Sequence, residues 1–444
     1  MKAKKITALV FTSVAILQSA WAQKFNIVYI LTDQQTASAM SCTGNSALKT
    51  PNLDRLASEG IRFTNAYCTA PLCTPSRAAM FTGLTPSVTR QTVNNSAIPD
   101  TIKPKTLGNL LKKVGYECVY AGKWHLPTPD IEEGTFGFHK LYGHNDIGLA
   151  ESAVSFLEQK HEKPFFLVVS IDNPHNICEY ARSQPLPFAT ITEPPIEQCP
   201  NLPANFAVAP YDADVIREEQ HISYKKYPIV SYTNDDWRRY RNAYYRLVEF
   251  ADQEIGKVLK ALVNNSLLKN TVIVFSSDHG DGNASHHWNQ KSALYEEVVN
   301  IPLIARLPDA RNRGTIRDQI INNGPDFFAT ICDFAGADIP SNCAGKSIRP
   351  LMENSSNSEL HDCIVTETQF DASTTKGWMV RTPQYKYVIY DKGRYREQLY
   401  DIKNDRGEMI NLAVENSYFS VLQRHRELLF QWKKKNGLSV NNQQ

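Results

Sequence analysis

Residues 24–32, KFNIVYILT, decide the fold, and Asp33 follows them directly. This short apolar run is rich in isoleucine and valine, which predicts a strand buried inside a sheet. Comparable runs stand at residues 117–121, 165–171 (FFLVVSI), 271–276 and 301–307, with helical patterns at 52–59, 107–114, 235–263 and 327–334. Strands that alternate with helices predict an α/β fold, in which helices flank a large, mostly parallel sheet on both faces.

Polar side chains follow several of these predicted strands within a few residues. They are Asp33, Lys123, His125, His175, Asp278 and His279. In a parallel sheet, ligands bind beyond the carboxyl ends of the strands. We therefore expect these side chains to share one site.

The C-terminal part of the chain changes character. Residues 379–390 contain two strand-like pieces broken at 382–384, residues 398–401 predict another short strand, and residues 417–433 predict a helix. This pattern favours a smaller antiparallel sheet with a closing helix. We expect a catalytic domain at residues 23–345 and a C-terminal subdomain at residues 346–444.

The first 22 residues have the pattern of a signal peptide. Lys2, Lys4 and Lys5 precede a mostly apolar run at residues 6–17, and Ala20-Trp21-Ala22 fits the small-x-small rule before a cleavage site. These features predict cleavage after Ala22 and export to a bacterial periplasm or beyond. The apolar run is too short to span a bilayer comfortably, and no later segment predicts a membrane span.

Composition excludes some classes of partner. The chain has 48 Lys and Arg against 46 Asp and Glu, a net charge of +2, so it gives no sign of a nucleic-acid surface. Its nine cysteines are scattered, and no C-x-x-C pair indicates a zinc site. The odd count leaves at least one cysteine without an intrachain partner, and the sequence assigns no disulfide.

The most specific motif is residues 73–83, CTPSRAAMFTG. Pro75 favours the first turn of a helix, whose free N–H groups and dipole attract an anion near Cys73. Arg77 follows one helical turn after Cys73. The motif resembles the full signature of type I sulfatases, in the alkaline phosphatase-like superfamily. In that family the cysteine is oxidised to formylglycine by a maturation enzyme, here expected to act before export.

Three further segments resemble the same family, and in particular its bacterial carbohydrate sulfatases. Residues 277–280 (SDHG), followed by His286, Lys291 and Tyr295-Glu296, resemble the pattern S-D-H-G…H…W…K…Y-E. Residues 122–126 resemble the segment G-K-W-H-L, and Pro174-His175 resembles the P-H pair after a central strand. The likeness covers nearly the whole mature chain.

The resemblance implies one calcium ion. The ligands would be Asp33, Gln34, Cys73, Asp278 and His279. The family pattern has two adjacent aspartates, whereas this chain has Asp33-Gln34. A glutamine amide oxygen can also bind calcium, and the site would then carry one negative charge fewer.

The resemblance also implies the catalytic roles. One hydroxyl of the hydrated aldehyde at Cys73, activated by calcium and Asp278, attacks sulfur, and the second hydroxyl then expels sulfate. Lys291 and His175 bind the sulfate oxygens and stabilise or protonate the leaving alcohol. The other predicted catalytic residues are Arg77 and Lys123, which hold the diol and the sulfate, and His125, which helps to expel sulfate.

The expected substrate is a sulfated carbohydrate, a glycosaminoglycan or another glycan, cleaved in exo fashion. The candidate contacts are His286, His287, Trp378 and Arg381, since aromatic and basic side chains suit a sugar ring and uronic carboxylates. A formylglycine-dependent phosphonate monoester hydrolase or phosphodiesterase is the alternative, because these enzymes share the fold and some share the nucleophile. A non-catalytic glycan-binding relative and a two-zinc phosphatase are weaker alternatives.

Overall fold

A computed structural model describes residues 24–127, 131–188, 190–353, 359–370 and 373–439. The strands are β1 (Asn26–Asp33), β2 (Ile61–Tyr67), β3 (Glu117–Gly122), β4 (His139–Tyr142), β5 (Phe165–Pro174), β6 (Thr271–Ser277), β7 (Leu303–Arg306), β8 (Thr315–Asn322), β9 (Ile364–Gln369), β10 (Lys376–Arg381), β11 (Tyr385–Tyr390) and β12 (Glu397–Asp401). The predicted signal peptide at residues 1–22 lies outside the described residues.

Helices separate most of these strands, as the sequence predicts. They are α1 (Pro51–Glu59), α2 (Cys73–Thr82), α3 (Pro86–Thr89), α4 (Leu107–Lys113), α5 (Leu149–Leu157), α6 (Ile177–Ala181), α7 (Asp214–Ile222), α8 (Asn234–Asn264), α9 (Glu296–Val299), α10 (Asn323–Ala335), α11 (Arg349–Glu353) and α12 (Phe419–Lys435). In the described part of the chain, no helix is both long enough and apolar enough to cross a membrane.

Eight strands form one sheet in the order β4-β3-β5-β1-β6-β7-β2-β8. The central strand β1 runs parallel to both β5 and β6. Only β7 runs against its neighbours, β6 and β2. The predicted mostly parallel sheet is confirmed, and the carboxyl ends of β1, β3, β5 and β6 meet at one edge.

Helices cover both faces of this sheet because its central strands are apolar on both sides. Along β1, Tyr29 packs into one core cluster with residues of α2, α4 and α10. Its neighbours Val28 and Ile30 pack into the opposite cluster, with residues of α1, α5 and α8. The result is a sheet buried between two helical layers.

A second sheet lies near the C-terminus, with four antiparallel strands in the order β12-β11-β10-β9. Leu422 and Leu429 of α12 pack on its apolar face, against Val365, Val380 and Leu399. The predicted small antiparallel sheet with a closing helix is therefore confirmed. The domain boundary at residue 345 stays a prediction.

Candidate active site

Cys73 is the first residue of α2 and is fully buried. Its Sγ lies 3.2 Å from Lys291 Nζ and 3.2 Å from His279 Nε2. Burial raises the pKa of the Cys73 thiol, but the Lys291 and His279 charges outweigh burial and hold this pKa well below its ordinary value. The position therefore favours a negatively charged group.

Asp33 and Asp278 meet beside this sulfur because Asp33 ends β1 and Asp278 directly follows the neighbouring parallel strand β6. Asp278 Oδ1 accepts the backbone N–H groups of Gln34 and His279, at 3.1 and 2.9 Å. Burial, and then the charge of Asp33, raises the pKa of Asp278 to about 6. Burial also raises the pKa of Asp33, but the charges of Lys123 and His175 outweigh burial and hold the pKa of that carboxyl well below its usual range.

Arg77 fixes both carboxylates from within α2. Its side chain is fully buried, with Nε 2.8 Å from Asp278 Oδ2 and Nη2 3.1 Å from Asp33 Oδ2. Nη1 donates to the Lys123 carbonyl at 2.8 Å and to Ser170 Oγ at 2.9 Å. The guanidinium thus orients the carboxylates by charge-assisted hydrogen bonds.

Lys123 enters the same cluster from the end of β3. Its Nζ lies 2.8 Å from Asp33 Oδ2 and 2.7 Å from Asp172 Oδ1. The preceding Gly122 has φ +98°, and a Cβ atom there would lie 2.0 Å from the Ser170 carbonyl oxygen. Only glycine fits this position, which explains why Lys123 is preceded by a glycine.

His125 lies beside the first turn of α2, where its carbonyl accepts a 2.8 Å hydrogen bond from Thr74 Oγ1. Its backbone has φ +52°. Within the described residues, its buried Nδ1 has no hydrogen-bond partner. Its predicted role in the release of sulfate stays a prediction.

His175 follows β5 and makes a side-chain hydrogen bond with Cys73. Burial, together with the charges of Lys123 and Lys291, lowers the pKa of His175. Near neutral pH the lowered pKa favours the uncharged imidazole.

Two aspartates that support this edge were not among the sequence-predicted site residues. Asp146 is buried and accepts the backbone N–H groups of Asp172 and Asn173, at 2.6 and 2.9 Å. Asp172 in turn holds Lys123. Its place before Pro174-His175 was a usable signal, whereas Asp146 lies in a loop with no motif around it.

Four side chains form a candidate metal site. Each of Asp33, Cys73, Asp278 and His279 offers one ligand atom, and these atoms all lie within 4.8 Å of one another. Carboxylate oxygens that converge on one point are ligands that a divalent cation binds. These four residues are in the predicted ligand set.

Gln34 stands next to this cluster, with φ +71° and a fully buried side chain. Its Nε2 donates to Asp281 Oδ2 at 2.8 Å, and its Oε1 accepts from the Cys178 thiol at 3.5 Å. Asp281 was not a sequence-predicted site residue, although it directly follows Ser-Asp-His-Gly. The partner of the unusual glutamine is thus a buried carboxylate.

Lys291 is held by a loop with a strained backbone. Six non-glycine residues there have positive φ, which costs free energy and is typical of functional sites: Asn283, Ala284, His286, His287, Gln290 and Ser292. Trp288 Nε1 donates to the Lys291 carbonyl at 3.2 Å, and Ser292 N donates to the Pro71 carbonyl at 3.0 Å. These bonds fix Lys291 against the start of α2.

The four predicted substrate contacts have different surroundings. Arg381 is buried and its Nε donates to Tyr67 Oη at 2.7 Å, while His286 is fully buried beside Glu297 and Glu408. Both side chains are buried and bonded within the protein, and their contact with substrate stays a prediction. His287 is half-buried with its ring 3.9 Å from that of Phe206, and Trp378 is half-buried beside a cavity.

Comparison with known proteins agrees with this arrangement. The family model described as Sulfatase matches residues 25–337, more than half of the chain. The model described as N-sulphoglucosamine sulphohydrolase, C-terminal, matches residues 284–435.

Individual proteins match over almost the full length. A Delta 4,5-hexuronate-2-O-sulfatase from Bacteroides thetaiotaomicron is 33% identical, over 92% of this chain and 88% of its own. The structure of a 2-O GAG sulfatase superposes with a TM-score of 0.83 at 30% identity, over 94% of this chain and 95% of that one.

A phosphonate monoester hydrolase from Agrobacterium radiobacter shares the fold. It has a TM-score of 0.75 at 20% identity, over 93% of this chain and 96% of that one. These likenesses confirm the predicted alkaline phosphatase-like fold. The chain therefore belongs to the sulfatase family and is a sulfuric ester hydrolase.

Proposed function

We propose that this protein removes sulfate from a sulfated glycan, with formylglycine derived from Cys73 as nucleophile and one calcium ion as cofactor. The observation that carries the proposal is the enclosure of the Cys73 sulfur. Lys291 and His279 lie at 3.2 Å from it, and the Asp33–Asp278 pair stands next to it. The sulfur stands in for the aldehyde oxygens of the modified residue.

The donor set suits a divalent cation. Asp33 and Asp278 supply carboxylate oxygens, which calcium prefers, and the modified residue 73 and His279 complete the set. Gln34 belongs to the proposed set through its amide oxygen. When bound, calcium withdraws charge from the sulfate oxygens as a Lewis acid.

The remaining side chains have distinct proposed roles. Lys291 Nζ lies where sulfate oxygens would approach residue 73, and a buried ammonium there stabilises the charge that develops in the transition state. His175, uncharged before substrate binds, takes up a proton near the anion and transfers it to the leaving alcohol. Arg77 and Lys123 keep the carboxylates in place, and His125 assists the release of sulfate.

The substrate class comes from the relatives. The Bacteroides relative is a Delta 4,5-hexuronate-2-O-sulfatase, and the similar solved structure is a 2-O GAG sulfatase. We propose a sulfated, uronate-containing glycan as substrate, attacked in exo fashion. The predicted signal peptide supports export, and a formylglycine-generating enzyme is the proposed maturation partner.

Turnover of paired substrates tests this function. Protein matured in a host that makes formylglycine is expected to hydrolyse an aryl sulfate and a 2-O-sulfated hexuronate sugar much faster than an aryl phosphonate. Cys73→Ala should fold and have no measurable turnover, because the nucleophile is lost. Preference for the phosphonate would instead establish the phosphonate hydrolase alternative, and near-normal activity of Cys73→Ala would refute the nucleophile.

A further inference from the structure

We propose that a cavity next to the catalytic site binds the anionic sugar adjacent to the one that carries the scissile sulfate. The proposal rests on the proposed glycan sulfatase function and extends it to the neighbouring sugar. The cavity has a volume of about 410 Å³ and lies between α3, the strands β9 and β10, and the end of α12. The side chains that matter are Ser87, Arg90, Glu367, Lys376, Trp378 and Lys433.

The cavity wall has the chemistry of a site for a charged sugar. Lys433 Nζ lies 3.4 Å from the centre of the Trp378 ring, so a cation and an indole form one half-buried surface. Arg90 and Lys376 add two exposed cations. Such donors bind sulfate or carboxylate oxygens by charge-assisted hydrogen bonds.

One carboxylate in the wall supplies a hydrogen-bond acceptor. Glu367 is 7% exposed and accepts a 3.2 Å hydrogen bond from the Ser87 backbone N–H as well as the Ser87 hydroxyl. A fixed carboxylate is a strong acceptor for sugar hydroxyl groups. Three cations against this one carboxylate leave the wall positive, which selects an anionic sugar over a neutral one.

The cavity adjoins the catalytic residues through two short connections. Ala70 lines the cavity and lies three residues before Cys73, which limits the distance between their Cα atoms to about 11 Å. Thr368, on the opposite wall, donates from Oγ1 to the Ser292 carbonyl at 2.7 Å, and Ser292 directly follows Lys291. The proposed sugar site therefore lies beside the start of α2 and the loop that carries Lys291.

The test compares two substrates and two matched double variants. The substrates are a sulfated monosaccharide and a disaccharide in which the same sulfated sugar is joined to a second anionic sugar. Arg90→Ala/Lys376→Ala removes two charges from the cavity. Lys434→Ala/Lys435→Ala removes two exposed charges of α12 outside the cavity lining and serves as the control.

We expect the cavity variant to lower kcat/KM for the disaccharide roughly tenfold, mainly through KM, since partly exposed charge pairs contribute modestly. Its turnover of the monosaccharide should match that of the unchanged protein, as should both activities of the control. An unchanged KM for the disaccharide, or an equal loss on both substrates, would overturn the proposal.

A direct measurement of disaccharide binding tests the cavity independently of the proposed sulfatase function. Calorimetric titration of the disaccharide into Cys73→Ala, with and without the cavity substitutions, needs no turnover. Weaker binding only when the cavity is changed supports the second site even if the catalytic account fails. Equal affinity of the two proteins contradicts the second site even if sulfatase activity is established.

Discussion

At the scale of single residues, Gln34 stands where the related pattern has its second aspartate, and its side chain bonds to a residue far along the chain. The related pattern has two adjacent aspartates, and the sequence predicts only that glutamine can replace the second as a ligand. The structure adds a reason, because Gln34 Nε2 donates to the fully buried Asp281. Tyr240 Oη also donates to Asp281. A carboxylate at position 34 would face the Asp281 carboxylate without an N–H group to donate to it.

Gln34→Glu should therefore destabilise the fold by about 3 kcal/mol, because it buries a second charge beside Asp281. Adding Asp281→Asn should recover much of this loss, since the amide can donate to the new carboxylate. Denaturant unfolding of both single variants and the double variant gives the coupling between the positions. Additive effects of the two substitutions would show that the residues do not interact.

Asp278 leads to a prediction about pH. Burial and the charge of Asp33 raise the pKa of Asp278 to about 6 in the metal-free protein. Calcium binds the charged form, so protons compete with the ion for Asp278 below this pH. The affinity for calcium should be about tenfold weaker at pH 5 than at pH 7, measured by titration of metal-free protein at constant ionic strength.

The control for this prediction is Asp278→Asn. It should bind calcium weakly at both pH values, with a smaller change between them. Equal affinity of the unchanged protein at pH 5 and pH 7 would contradict the assignment of Asp278 as a ligand.

At the scale of secondary structure, the central strands were predictable and several outer ones were not. The strands β1, β5 and β6 are apolar on both faces, so a simple run of apolar residues identifies them. At the sheet edge, β8 (TIRDQIIN) has three consecutive polar residues at its centre and gives no such run. The antiparallel direction of β7 depends on tertiary pairing with β6 and β2, which its sequence does not encode.

The end of β5 is held by the Asp146 carboxylate, which accepts the backbone N–H groups of Asp172 and Asn173. Asp146→Asn replaces one of the two carboxylate oxygens with an NH2 group, which cannot accept a hydrogen bond. One of the backbone N–H groups of Asp172 and Asn173 therefore loses its acceptor. We expect stability to fall by about 2 kcal/mol, since a buried donor loses its acceptor. We also expect kcat to fall by at least tenfold, because Lys123 and His175 shift with the strand end.

The matched control is Asp100→Asn, whose side chain is 92% exposed. It should leave both unfolding and turnover unchanged. Normal turnover in Asp146→Asn would show that the strand end keeps its position without this carboxylate.

At the scale of the whole molecule, buried ion pairs join the small sheet to the catalytic body. Lys386 of β11 lies 2.7 Å from Glu408 and 3.3 Å from Glu296, which begins α9. Glu367 N of β9 also donates to the Thr69 carbonyl just before α2, at 3.0 Å. The sequence predicted both sheets but not these contacts, because they join residues about 20 to 300 positions apart that carry no shared periodic pattern.

Lys386→Met should lower the free energy of unfolding by about 3–5 kcal/mol, since it leaves Glu296 and Glu408 buried without their cation. Thermal or denaturant unfolding measures the loss. Lys392→Met removes an exposed lysine and should have little effect. Equal stability of the two variants would mean that the buried pair does not join the two parts of the molecule.

The central claim is that Cys73 is converted to formylglycine, and peptide mass spectrometry of the segment around Cys73 tests it most directly. The protein should be made in a host that contains the maturation system, and its sulfatase activity should be measured on the same sample. We predict an aldehyde in place of the Cys73 thiol in the active protein. An unmodified cysteine in protein that hydrolyses sulfate esters would contradict the claim.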